Sequence, residues 1–207
     1  MLTLYRHDGA YLLRAGTIEL MSTRRSFSEE RLGTLACEPL ATVRGAAVLI
    51  GGLGFGFTLK AALRTLAPDA EVVVAELLPE VIAWNENAEY ALAGDALHDP
   101  RVTLEQDDVA RILRRDRSAY DAILLDVDNG AEAFTTVGNG ALYGDAGIGL
   151  AMAALRPEGV LAYWSATPEP AFEARLRQAG LIVHAERARA YGTGGPAHTI
   201  ILGQLPK

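Results

Sequence analysis

Half of the 207 residues are hydrophobic and 22% are charged, a balance that suits one sizeable core with room for a small extra lobe. The net charge of −7, with Lys and Arg scattered, argues against nucleic acid as a partner, since phosphate recognition needs clustered basic residues. The single cysteine, Cys37, excludes a disulfide framework and a thiolate metal cluster.

The acidic balance is compatible with a small cationic substrate, although it also serves solubility alone. Apolar runs meet Lys60, Arg64, Arg156 or Glu158 before they could span a bilayer, and the first residues lack the apolar core of a signal peptide. The expectation is a cytoplasmic protein with no membrane association.

Residues 1–26 read as short strands, with turns at Asp8-Gly9 and Ala15-Gly16, because Asp-Gly between β-formers is a hairpin signal. A helix from Phe27 toward Leu40 follows, ended by Pro39. Residues 1–40 are therefore expected to form a small β-hairpin lobe with its linking helix, and residues 41–207 an α/β domain. In that domain, strands at Val48–Ile50, Glu71–Glu76, Val102–Glu105, Tyr120–Asp126 and Gly159–Ser165 alternate with helical stretches. Pro79 stands at the favoured first turn of one such helix. The alternation predicts a parallel sheet covered on both faces. Leu181–His184 and Ala197–Leu202, around Tyr191–Pro196, predict a closing antiparallel hairpin. The combination points to a Rossmann-like class I methyltransferase fold with a mostly parallel seven-stranded sheet.

The strongest local signal is Gly51-Gly52-Leu53-Gly54-Phe55-Gly56, between a buried strand and a helix. A dinucleotide fingerprint from Gly52 would require glycine at position 57, which is Phe57. The Gly52, Gly54, Gly56 spacing is instead typical of S-adenosylmethionine sites, where a tight turn lets a ligand approach bare backbone. The same glycines could merely permit close helix–strand packing. Glu76 ends the second strand of the domain, where a carboxylate can accept both ribose hydroxyls. Asp107-Asp108 ends the third. Asp108 is the better candidate for an adenine amino group, with Val109 against the ring, and it can equally cap the next helix.

Asp126-Val127-Asp128-Asn129-Gly130 turns abruptly polar at a carboxyl edge, where open α/β sheets place their ligands. A partly desolvated carboxylate beside another acid can act as a base toward an amine, which favours Asp126. Asn129-Gly130 reads as a turn. His7, His98, His184 and His198 show no metal spacing and read as surface or sheet residues, and no metal is expected. Trp164 and Ser165 end the fifth strand and could line a pocket.

These residues resemble the spermidine synthase family of aminopropyltransferases over nearly the whole chain. The likeness runs through Gly16-Thr-Ile-Glu-Leu20, Ser28-Glu29-Glu30, Leu49 to Leu59 with the glycine motif, and Asp99-Pro-Arg-Val102. It continues through Gln106-Asp-Asp108, Tyr120 to Asp126, Leu142-Tyr143 and Leu155-Arg-Pro-Glu-Gly159. The resemblance implies a nucleotide site at the glycines, Glu76 and Asp108, a catalytic acid at Asp126 that deprotonates an attacking amine, and a homodimer through the lobe. Four positions depart from the family pattern. Phe55 replaces an aspartate that holds the aminopropyl amine, and Asn129 replaces a second loop acid. Glu19 falls where a nucleotide-contacting glutamine is expected, and Ser28 where a substrate-side tyrosine is expected.

An apolar Phe55 removes both a partner for that amine and a repulsion against the carboxylate of intact S-adenosylmethionine. The expected co-substrate is therefore S-adenosylmethionine or its decarboxylated form. The expected reaction is alkyl (aminopropyl) transfer to a small amine or other nucleophilic acceptor, with Glu19 or Asp128 steering its charge. The alternatives are a small-molecule methyltransferase and a non-catalytic nucleotide-binding protein.

Overall fold

The computed structural model describes residues 2–90, 92–126, 142–192 and 194–207. The chain begins as an antiparallel meander, β1 (Leu2–His7), β2 (Ala10–Ala15) and β3 (Ile18–Ser22). Asp8 and Gly9 turn the first corner with φ of 48° and 74°, the two left-handed positions that an Asp-Gly hairpin turn demands.

Helix α1 (Phe27–Cys37) leads to β4 (Ala47–Gly51), α2 (Phe57–Thr65), β5 (Glu71–Ala75) and α3 (Pro79–Glu86). Then come β6 (Val102–Glu105), α4 (Val109–Arg115), β7 (Tyr120–Leu125) and α5 (Asp145–Ala154). Strand β8 (Leu155–Ser165), α6 (Pro170–Gln178), β9 (Ile182–Arg189) and β10 (Ala197–Gln204) complete the chain. The seven-stranded sheet runs β6-β5-β4-β7-β8-β10-β9, parallel except that β10 is antiparallel to both neighbours.

This is the Rossmann-like methyltransferase architecture expected from the alternating pattern. Boundaries differ in places: β8 begins at Leu155 rather than Gly159, β9 runs on to Arg189 rather than ending at His184, and β10 ends at Gln204 rather than Leu202. Leu155 pairs with Tyr120 ahead of an irregularity in the ladder, and Glu158 takes a left-handed φ of 65° there.

Period-two alternation sends the two sides of each strand into separate cores. Val48, Ile50, Leu124, Ala162 and Ile200 meet α1 and α2 on one face. Leu49, Ile123, Leu125, Leu161 and Ile201 meet α4, α5 and α6 on the other. Helix α1 contributes Leu32, Ala36 and Cys37 to the first core, so it packs on the large sheet and reaches across β7, β8 and β10. Gly33 makes its approach to α2 possible: a Cβ there would stand 2.5 Å from the Thr58 carbonyl oxygen and 2.8 Å from Ala61 Cβ. Among the described residues no helix is long and apolar enough to cross a membrane.

The strand order positions the site. From β4 the chain winds outward through β5 and β6, then returns to place β7 on the other side of β4. The crevice at the carboxyl ends of β4 and β7 is thus a topological switch point, where neighbouring loops diverge and leave room for a ligand.

Candidate active site at the switch point

The glycine turn lies at that crevice, held from both flanks. Gly52, Gly54 and Gly56 have φ of 91°, 51° and 75°, a left-handed conformation that a side chain would strain. The Gly52 N–H donates to the Ala75 carbonyl at 2.8 Å, and on the other side the Asp126 N–H donates to the Gly51 carbonyl at 2.9 Å. A Cβ on Gly54 would stand 2.5 Å from Met21 Cε, and one on Gly56 would stand 2.7 Å from Ala93 Cβ. Gly54 is therefore required by its backbone conformation, since the Met21 end could swing aside, and Gly56 by backbone conformation and packing against Ala93 together, over and above any ligand approach. Asn85, 6% exposed, fastens the turn from α3, donating to the Gly54 carbonyl at 2.8 Å and accepting from the Ala93 N–H at 2.9 Å. Neither Met21 nor Asn85 carries a local sequence signal for this role.

Glu76 follows β5 and is 7% exposed. Its Oε2 accepts from the Leu53 N–H at 2.9 Å and its Oε1 from the Leu78 N–H at 2.8 Å. These two bonds fix the orientation of the carboxylate beside the turn. Leu77, next to it, is an exposed apolar side chain that sequence reading passed over. Asp108 is the N-cap of α4, accepting from the Ala110 N–H at 2.8 Å, so its capping role is realised. Val109 is buried against Gly51, as part of the second core.

The other expected site residues take varied positions. Phe55 is 1% exposed and packs with Leu13 and Leu92, while its N–H faces Met21 Sδ at 3.2 Å. Its ring therefore pins the lobe to the glycine turn. Glu19 is ion-paired with Arg25 at 3.3 Å, and Arg25 Nε donates to the Tyr191 hydroxyl at 2.9 Å, joining the lobe to the β9–β10 connection. Asp128 and Asn129 lie outside the described residues.

Asp126, just past β7, accepts a hydrogen bond from Thr58 Oγ1 at 2.7 Å. That hydroxyl is also 3.2 Å from the Glu29 carbonyl oxygen. Glu29 lies in the first turn of α1 and is buried, and Ser28 Oγ contacts its Oε2 at 2.5 Å. Burial, and after it the negative charge of Asp126, push the Glu29 carboxyl up to about 7, against the opposing pull of the Ser28 hydrogen bond. Ser28 Oγ also lies 2.8 Å from His198 Nδ1 on β10, and the Trp164 ring packs edge-on to the His198 imidazole at 4.6 Å. Trp164 Nε1 is buried with no hydrogen-bond partner among the described residues. The Glu29–Ser28–His198 cluster was not legible in the sequence.

Compared with solved structures, the chain resembles a spermidine synthase from Thermotoga maritima, with a TM-score of 0.72 and 16% identity over 95% of this chain and 66% of that one. A spermidine synthase in complex with the transition state analogue AdoDATO gives 0.74 and 17%, over 95% and 67%. The chain has a spermidine synthase-like fold. It spans about two thirds of the length of these enzymes. Human methyltransferase-like protein 13, in complex with SAH, shares the fold at a TM-score of 0.60 and 18% identity, over 88% of this chain and 82% of that one. No protein-family profile matches the sequence, and no curated protein matches it significantly.

Proposed function

We propose that this chain binds an S-adenosyl nucleotide at the switch point and transfers an alkyl group from its sulfonium to a small amine acceptor. One observation carries the reading: two acidic residues flank a single glycine turn at the carboxyl edge, the Glu76 carboxylate accepting from its Leu53 N–H and the Asp126 backbone N–H donating to its Gly51 carbonyl. Glu76 is placed to receive ribose hydroxyls, the Gly51–Gly56 backbone to border the nucleotide, and Leu77 to cover an apolar face of the base. Asp126 lies on the opposite flank, where it would take the proton of the attacking amine. The sulfonium is already a good leaving group, so most of the rate would come from holding the nucleophile in line with it.

Methyl transfer is the second reading, favoured by Phe55. The resemblance expects an acid there to hold the amine of decarboxylated S-adenosylmethionine, and the side chain present is apolar and packed into the lobe.

Calorimetric titration with methylthioadenosine and S-adenosylhomocysteine tests the nucleotide site. Incubation with each form of S-adenosylmethionine and a set of small amines, followed by mass analysis, tests the chemistry. Aminopropyl transfer leaves methylthioadenosine, whereas methyl transfer leaves S-adenosylhomocysteine. Asp126→Asn should cut turnover ~10²–10⁴-fold, the usual loss on removing a general base, with little change in nucleotide affinity. Absence of binding by both nucleotides rejects the reading. Turnover within a few-fold of wild type in Asp126→Asn removes Asp126 from the chemistry.

A further inference from the structure

The turn that borders the proposed nucleotide is built from the residues with the most backbone freedom. Gly52, Gly54 and Gly56 all hold left-handed φ values, and glycine loses more freedom on ordering than any other residue. Such a turn keeps one shape only where other groups hold it. Asn85 of α3 is buried, and its side-chain amide makes three hydrogen bonds around the turn. Nδ2 donates to the Gly54 and Val81 carbonyls, each at 2.8 Å, and Oδ1 accepts from the Ala93 N–H at 2.9 Å. We propose that Asn85 is a positioning residue for the nucleotide, holding the glycine turn in its binding shape before the ligand arrives. The inference rests on the nucleotide site proposed above.

The residue type follows from the bonds. They need two donors and an acceptor at the end of one short side chain, which a primary amide supplies in a single plane. The Val81 carbonyl lies one helical turn back in α3, so that bond anchors the amide to its own helix while the other N–H reaches Gly54. Aspartate would set acceptor oxygens against two carbonyls, and glutamine is longer by a methylene.

The Ala93 bond carries the hold to the far end of the turn. A Cβ on Gly56 would stand 2.7 Å from Ala93 Cβ and 2.9 Å from Ala93 Cα, so the segment that Asn85 fastens closes on Gly56. Leu92 packs with Phe55, and its carbonyl accepts from Lys60 Nζ of α2. One side chain therefore fixes Gly54 directly and Gly56 through Ala93. A turn released from Asn85 must be ordered by the ligand, and ordering even one backbone residue costs roughly tenfold in affinity.

The test compares full-length wild type, Asn85→Ala and Asn85→Asp by methylthioadenosine calorimetry and amide hydrogen exchange, at a temperature where circular dichroism shows each variant folded. Asn85→Ala should weaken methylthioadenosine binding about tenfold, and should speed exchange at Leu53 and Gly56 by a similar factor relative to the amides of β4. A purely structural role would lower global stability and speed all these amides together, leaving the affinity of the folded protein unchanged. Asn85→Asp should bind more weakly than Asn85→Ala at pH 8. Its affinity, taken relative to wild type at each pH, should recover toward pH 5, because a protonated carboxyl regains one donor for Gly54. Wild-type affinity in folded Asn85→Ala overturns the proposal, as does uniform exchange across the turn and β4. If Asn85→Ala does not fold, Asn85→Asp decides alone, and a flat affinity ratio between pH 8 and 5 overturns it. Binding in wild type with no loss in the variants removes this role alone. Absence of binding by wild type, for methylthioadenosine and S-adenosylhomocysteine alike, removes the nucleotide reading and this role with it.

Discussion

Glu29→Gln should stabilise the protein at alkaline pH and destabilise it in acid by about 1 kcal/mol, the cost of a weakened hydrogen bond. The Glu29 carboxyl rises from 4.5 to about 7 on folding, chiefly through burial and then through the charge of Asp126. A raised folded pKa gives stability that is fully present below about 4.5 and lost as pH climbs through about 7. The rise corresponds to roughly 3 kcal/mol that wild type forgoes above that range, because a buried carboxylate must then be ionised. Glutamine keeps the size and polarity but never ionises. It weakens the Ser28 hydrogen bond, which costs about 1 kcal/mol and is the smaller effect. A net gain of about 2 kcal/mol at pH 8.5 should raise the melting temperature by roughly 4–8 °C for a chain of this length. Urea unfolding of both proteins at pH 4.5 and 8.5 checks it. Equal stability differences at the two pH values, or a mutant less stable at pH 8.5, would refute the placement of Glu29 as a buried acid beside Asp126.

Gly33→Ala should destabilise by about 1–2 kcal/mol in urea unfolding, because overpacking the α1–α2 contact costs more than the 0.5–1 kcal/mol gained by removing a helical glycine. Glu76→Gln leaves one amide oxygen where two carboxylate oxygens served the Leu53 and Leu78 N–H groups, so a loss of about 1–3 kcal/mol in stability is expected. The same variant should weaken methylthioadenosine binding by roughly 1.5–3 kcal/mol in calorimetry, the scale for hydrogen bonds to a charged group. Phe55→Asp should cost about 3–5 kcal/mol, since the ring is lost from the Leu13–Leu92 cluster and a carboxylate is left among apolar groups. A thermal scan that matches wild type would show that Phe55 is not packed there.

Much of the fold was legible because it rests on short-range rules. Alternating strand and helix patterns, the Asp8-Gly9 turn, Pro79 at the start of α3 and the glycine turn after β4 are set by backbone conformations that neighbouring residues dictate. The strand-end positions of Glu76 and Asp126 were readable for a related reason: each is the first carboxylate after an apolar strand, and a strand's end is visible locally. Asp108 showed its capping role by the same kind of evidence.

Other features were decided only when the strands were ordered. Phe55 looks free to face a ligand in a glycine-rich turn, but docking of the lobe buries it against Leu13 and Leu92. Glu19 reads as an acid that could steer a cationic acceptor, and the fold sets Arg25 beside it as an ion-pair partner. His198 reads as an ordinary sheet histidine, because its partner Ser28 lies 170 positions away on a helix laid across the sheet. Strand periodicity can say that alternate residues of β7, β8 and β10 share a face, but not that β10 will lie antiparallel beside β8. That placement, together with the close approach of α1 to α2 at Gly33, brings a serine, a histidine and two acids to one edge of the molecule. Burial then changes their chemistry, because the cost of a charge depends on the volume of protein that excludes water around it, which no local stretch of chain contains.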